Sequence, residues 1–276
     1  MNAPLHLLNL ATGCYLVATV AALFGIAVRR ELPRALLSRI LWAGAAVHMA
    51  AIITRTMMHG ALAFTSLDEK LSAFALLLVV LFLLVQLRGP LVALGAIVSP
   101  IAFCLTLVAA AVYQGEVRPL PPELASAWRP AHIILAFLGD AVFALAFSAS
   151  VLYLVQERRL KGRHGRGFLR NLPSLETLDR FNYACLVWGL ILLTLGIVTG
   201  VIWAHHAWVA AASWSLDPTL VFSLVTWGIY VVLLQGRISA GWRGRRAATL
   251  TILGFVLIVL SAGLNALGLG EHGKAY

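Results

Sequence analysis

Charge is what this chain has least of. Only 12% of its 276 residues are Asp, Glu, Lys or Arg, while 61% are hydrophobic. A soluble globular domain carries about 25% charged residues and nearer half apolar ones, so a water-soluble fold is excluded. Cysteine is also scarce. Cys14, Cys104 and Cys185 each lie inside an apolar run and form no CxxC pair. A disulfide framework and a structural zinc site are thereby excluded. No CxxCH occurs, so the chain carries no covalently attached c-type haem of its own. The first apolar run has no positive residue ahead of it and a basic cluster behind it. That is the reverse of a secretory signal, and the run reads as a retained first span with its short N-terminus outside.

What is present is a series of continuous apolar runs. Eight can be counted, near residues 5–28, 37–58, 71–88, 91–113, 131–155, 183–204, 219–235 and 248–268. Runs of roughly 18 apolar residues mark membrane spans. Lipid offers no partner to backbone amides, so such spans must be helices or a closed barrel. The short alternating segments of a barrel are missing. The expected fold is an all-α, polytopic membrane protein forming a single integral membrane domain over residues 1–276. There is no clear internal repeat and no loop long enough for a soluble domain.

The net charge of +10 would suit nucleic acid if it were clustered on a soluble face. Its distribution instead suits a membrane. Arg29, Arg30, Arg34 and Arg39 follow the first span, and Arg88 separates the third and fourth. The loop at about 156–182 holds seven basic residues, and "GRISAGWRGRRA" holds four. Together these make 16 of the 21 lysines and arginines, all on alternate loops. By the positive-inside rule those loops are cytoplasmic, which expects both termini outside. The loops near 59–70, 114–130 and 205–218 then face outward.

This topology sorts the eight histidines. His6, His59, His132, His205, His206 and His272 lie at or beyond the outer interface, and His164 lies in the basic loop. His48 falls inside a span, where an ionisable side chain is a functional candidate. It reads as either a ligand or a neutral imidazole bonded to a backbone carbonyl. Asp140 lies about two turns below His132. It reads as the partner of a cation such as Arg55, as the orienter of a histidine, or as a protonated structural acid.

One outer segment, "WAHHAWVAAASWSLDP" (203–218), concentrates Trp203, Trp208 and Trp214 with His205, His206 and Asp217. Interfacial aromatic belts account for one or two tryptophans. Indole rings interleaved with imidazoles suit a large, flat, metal-containing ligand, because tryptophan stacks and neutral imidazole binds iron.

Residues 203–237, "WAHHAWVAAASWSLDPTLVFSLVTWGIYVVLLQGR", resemble the tryptophan-rich WWD segment of the CcsA/CcmC/HemX-like haem-handling cytochrome c assembly proteins. "AHIILAFLGDAVFALAFSASVLYLVQERRLK", "AAVHMAAIITRTMMHG" and "GLNALGLGEHGKAY" match further pieces of that superfamily, in order. The resemblance covers most of the chain and is nearest the small eight-span members. It implies haem b as cofactor, with His132 and His272 as the two axial ligands. It implies that Trp203, Trp208, Trp214 and Asp217 support the porphyrin, and that His48 receives haem within the membrane. It further implies apocytochrome c and a CcsB/ResB-like membrane subunit as partners, and a site on the periplasmic side of a bacterial cytoplasmic membrane.

There are departures. Val209 replaces a glycine, Leu216 a tryptophan, and Thr219-Leu220 a Lys-Glu pair. Gln235 stands where a second intramembrane histidine is usual, so a bis-histidine site inside the membrane is not expected. The implied function is presentation of haem at the outer face, as a chaperone or as a component of a cytochrome c haem ligase. The alternative is a haem-sensing, regulatory or structural subunit without ligase activity. Transport of another solute is a weaker third reading, since intramembrane polar residues are few. Basic residues near the outer surface, such as Arg55 or Arg129, are candidate partners for propionates.

Overall fold

Helices α1 (Ala3–Val28), α2 (Arg34–His59), α3 (Leu67–Leu87), α4 (Gly95–Ala111), α5 (Trp128–Lys161), α6 (Leu175–Ala207), α7 (Pro218–Ser239) and α8 (Arg245–Ala266) follow one another along the chain, with one 3-10 turn at Val92–Leu94 before α4. The computed structural model describes residues 3–28, 34–59, 64, 66–87, 89, 91–115, 128–161, 173–207 and 217–268. Among these residues there is no strand. All eight helices are long and apolar enough to cross a membrane, as expected of a multi-pass membrane protein.

Two helices outrun the spans read from hydropathy. The fifth and sixth spans, expected at 131–155 and 183–204, are helical over 34 and 33 residues. Neither extension contains a residue that must stop a helix. The end of α5 carries Arg158, Arg159 and Lys161, cations that suit the negative end of a helix dipole. The start of α6 is capped by Ser174, whose Oγ accepts from the Thr177 amide at 3.1 Å. Much of the basic loop at 156–182 is therefore helix at its two ends.

The described helices fall into two compact units, one of α1–α4 with the last residues of α5, the other of α5 to Glu157 with α6–α8. Within each, small residues let the helices approach. In α1 the inward positions are Ala11, Tyr15, Ala18 and Ala22, spaced by three or four residues on one face. Large apolar side chains such as Trp188, Val232 and Leu253 are exposed, which suits a surface bathed in acyl chains.

In the second unit α5 and α6 run antiparallel in a register visible along much of their length. Asn182 Nδ2 donates to Ser150 Oγ at 2.8 Å. A Cβ on Gly189 would meet the Phe143 ring, one on Gly196 the Ala136 backbone, and one on Gly200 the His132 ring. Each step forward along α6 is matched by an equal step back along α5. Helix α7 is antiparallel to α6 in turn. Arg237 Nη2 donates to Asp179 Oδ2 at 2.7 Å near one end, and Trp227 Nε1 donates to Thr194 Oγ1 at 3.0 Å nearer the other. The start of α5, the end of α6 and the start of α7 therefore share one end of this unit.

Candidate functional site

At that shared end, His132 lies one turn into α5, half-buried against α6. Its Nδ1 is 2.8 Å from the carbonyl oxygen of Gly196. A carbonyl only accepts, so Nδ1 carries the proton and Nε2 holds the lone pair. The Trp203 ring lies nearly parallel to the imidazole, with ring centroids 6.2 Å apart at 19°. Trp203 is buried, at 3% exposure. Gly200 lies between them in sequence, and a Cβ there would come within 2.7 Å of His132 Cε1. Continued one turn, the helical register brings Arg129, also buried, level with Trp203.

Asp217 is buried at the start of α7. Its Oδ1 accepts from the Thr219 amide at 2.8 Å, with Pro218 at the first helical position. The "DP" that closes the tryptophan-rich segment is thus a helix N-cap with proline where its missing N–H costs nothing. His205 is exposed at the end of α6. Trp208, Trp214 and His272 lie outside the described residues.

The first unit holds His48, which is 0% exposed. Its partners are hydroxyls, not the backbone carbonyl that the sequence suggested. Nδ1 is 3.2 Å from Tyr15 Oη and Nε2 is 2.8 Å from Ser72 Oγ. A neutral imidazole has one donor and one acceptor nitrogen, so one hydroxyl donates and the other accepts. Both nitrogens are engaged, and the ring ties α1, α2 and α3 together. Gln235 donates to Ser239 Oγ at 2.7 Å on the exposed side of α7.

Arg55, which the sequence offered as a partner for Asp140 or for a propionate, finds carboxylate partners within its own unit. It ion-pairs with buried Asp68, and its Nε is 3.3 Å from Glu69 Oε1. Its Nη2 donates to the Gln114 carbonyl at 3.1 Å, and its guanidinium lies 4.9 Å from the Tyr113 ring centroid. These contacts gather the end of α2, the start of α3 and the segment after α4. Burial raises the Tyr113 phenol above its ordinary range; the Arg55 cation opposes this, and Asp68 and Glu69 reinforce it. Asp140 makes no hydrogen bond or ion pair among the described residues.

The sequence reading overlooked Tyr15, Ser72, Asp68 and Glu69, and the seat of His132 on α6. The last had a signal, since "GIVTG" (196–200) is a Gly-xxx-Gly pattern that lets helices approach closely. The hydroxyls had none, because a lone Tyr or Ser in a span is ordinary.

Two comparisons with known proteins bear on this arrangement. The signature of a family described as "Cytochrome C assembly protein" matches residues 64–268. The "Cytochrome c biogenesis protein CcsA" of Guillardia theta is 31% identical over 238 residues, 79% of this chain and 78% of that one. The protein of the same name from Prochlorococcus marinus (strain MIT 9303) is 31% identical over 254 residues, 81% of this chain and 79% of its own. That from Synechococcus sp. (strain CC9605) is 30% identical over 248 residues, 81% of each chain.

Proposed function

Since the chain belongs to the cytochrome c assembly protein family, we propose that it binds haem b and presents it for cytochrome c assembly at the outer face of a bacterial cytoplasmic membrane. The observation that carries this reading is His132. Its Nδ1 is committed to the Gly196 carbonyl, so Nε2 is the nitrogen that would ligate iron. A carbonyl on the far nitrogen is the usual support of a metal-binding imidazole. The donor chemistry of the site therefore fits haem iron. His132 and His272 would ligate the iron, Trp203, Trp208 and Trp214 would shield the ring from water, and Asp217 caps the start of α7. Arg129, buried at the same end of the second unit, is the basic side chain proposed for a propionate, and Arg55 pairs with Asp68 and Glu69.

Bound haem supplies the iron and the ring substituents to which apocytochrome thiols are joined. This chain holds that substrate in place beside the incoming cysteines, and such positioning is itself a large part of catalysis. The thiols come from apocytochrome c, and a CcsB/ResB-like membrane subunit is the proposed partner. A regulatory or structural role without ligase activity is favoured by Gln235 and by Thr219-Leu220 in place of Lys-Glu.

The absorbance spectrum of the detergent-purified chain tests the reading. Six-coordinate haem is expected in the native protein, a five-coordinate form restored by added imidazole in either single histidine variant, and loss of iron ligation in His132→Ala/His272→Ala. An unchanged spectrum in the double variant would move the ligands elsewhere, with His205 or His206 next. Staining a deletion strain for covalent haem separates assembly, where cytochromes c are lost, from regulation, where they persist.

A further inference from the structure

We infer that one face of α6, formed by Gly196, Gly200 and Trp203, is a seat that selects the tautomer and the orientation of His132, and that Gly200 is its positioning residue. The inference rests on the reading of His132 as an iron ligand for its consequence, though not for its geometry.

The three residues are spaced four and three apart, so they lie on one helical face. Each does something different to the same ring. The Gly196 carbonyl takes the Nδ1 proton at 2.8 Å. Trp203 backs the imidazole plane at 19° to parallel. Gly200 leaves the space that the ring edge fills, since a Cβ there would lie 2.7 Å from Cε1 and 2.8 Å from Nδ1. Any other residue at position 200 moves the imidazole away from the carbonyl.

The chemical consequence concerns which nitrogen is available. A histidine free to choose presents either nitrogen, and its ring samples several rotamers. Held against Gly196, the ring keeps its proton on Nδ1 and its lone pair on Nε2. The ligand is thus pre-organised, so less ordering is needed on binding. The hydrogen bond also makes the ligating nitrogen more basic. Trp203, grouped with the porphyrin-supporting tryptophans by resemblance, acts first on the imidazole in this assignment.

The test begins on haem-free protein. In the full chain, labelled with 15N-histidine and purified in detergent micelles, His132 is assigned by its loss in His132→Ala. It should show the 15N pattern of the Nδ1–H tautomer. Gly200→Ala should convert it to the Nε2–H form or a mixture. Gly228→Ala, where a Cβ meets nothing within 4 Å, should leave it unchanged. In haem-loaded protein, Gly200→Ala should give a five-coordinate fraction that added imidazole restores. Trp203→Phe should retain more of the native spectrum than Trp203→Ala.

An Nε2–H tautomer in the unsubstituted protein overturns the inference. So does a Gly200→Ala protein with tautomer and spectrum both unchanged. Should Gly200→Ala not fold, the tautomer of the unsubstituted protein still decides. Failure of the ligand reading looks different. His132→Ala would then leave the haem spectrum intact while the Nδ1–H tautomer and its dependence on Gly200 persisted.

Discussion

A buried histidine in a membrane span invites a ligand assignment, and His48 shows why its neighbours must be known first. Tyr15 and Ser72 occupy both ring nitrogens, so binding iron there requires a bond to break. Hydrogen bonds between membrane helices contribute on average about 0.6 kcal/mol, up to about 1.7. His48→Ala removes two and leaves a cavity. It should lower the thermal midpoint in detergent while haem per protein and the haem spectrum stay as they were. Complete loss of haem from a folded His48→Ala protein would reverse the ranking of His48 below His132. Arg237 makes a similar point at the opposite end of the second unit. It is 8% exposed and divided between Asp179 and Asn182. A cation so buried needs a partner, and here its partners lie on another helix.

At the scale of helices, capping accounts for a motif that would otherwise be credited to ligand binding alone. Asp217 accepts from the Thr219 amide and precedes Pro218, which is enough to explain a "DP" at a helix start. Asparagine caps as well as aspartate does, whereas alanine costs about 1 kcal/mol. Asp217→Asn should therefore keep both thermal stability and haem, and Asp217→Ala should lose stability. Haem loss in a stable Asp217→Asn protein would show that the carboxylate charge is needed at the site beyond its cap. The α5–α6 pair illustrates the other role of an element, setting register. Gly139, Gly189 and Gly200 lie where a Cβ would press on the opposing helix, and a Cβ on Gly196 would just touch it. In that register His132 lies level with the Gly196 carbonyl.

Across the whole chain, the positive-inside rule applied to the basic loops predicts which side each segment faces. Reporter fusions at residues 165 and 240 should behave as cytoplasmic, and one after Tyr276 as exported. An exported signal at 165 would invert the topology and place His132 and the tryptophan-rich segment on the cytoplasmic side. The eight helices and the family signature over residues 64–268 agree on a membrane-embedded assembly protein. The function tested by haem absorbance depends on that orientation as much as on any single ligand.

Composition and pattern alone determined the helical class and the number of spans, because lipid cannot solvate a backbone and apolar length is read directly. They also drew attention to the tryptophan-rich segment, since an aromatic and imidazole cluster stands out against so apolar a background, whereas His132 was singled out only through the family resemblance. Helix ends were less legible. Hydropathy stops at the membrane boundary, whereas α5 and α6 continue past it on capping and helix propensity. Pairing was decided only by the tertiary structure. His48 meets Tyr15 from 33 residues away, Arg55 finds Asp68 and Glu69, and His132 gives its Nδ1 proton to Gly196 across 64 residues. Each of these contacts depends on the rotation and register of one helix against another. Those are set by the summed fit of many side chains, and no local spacing in the sequence encodes them.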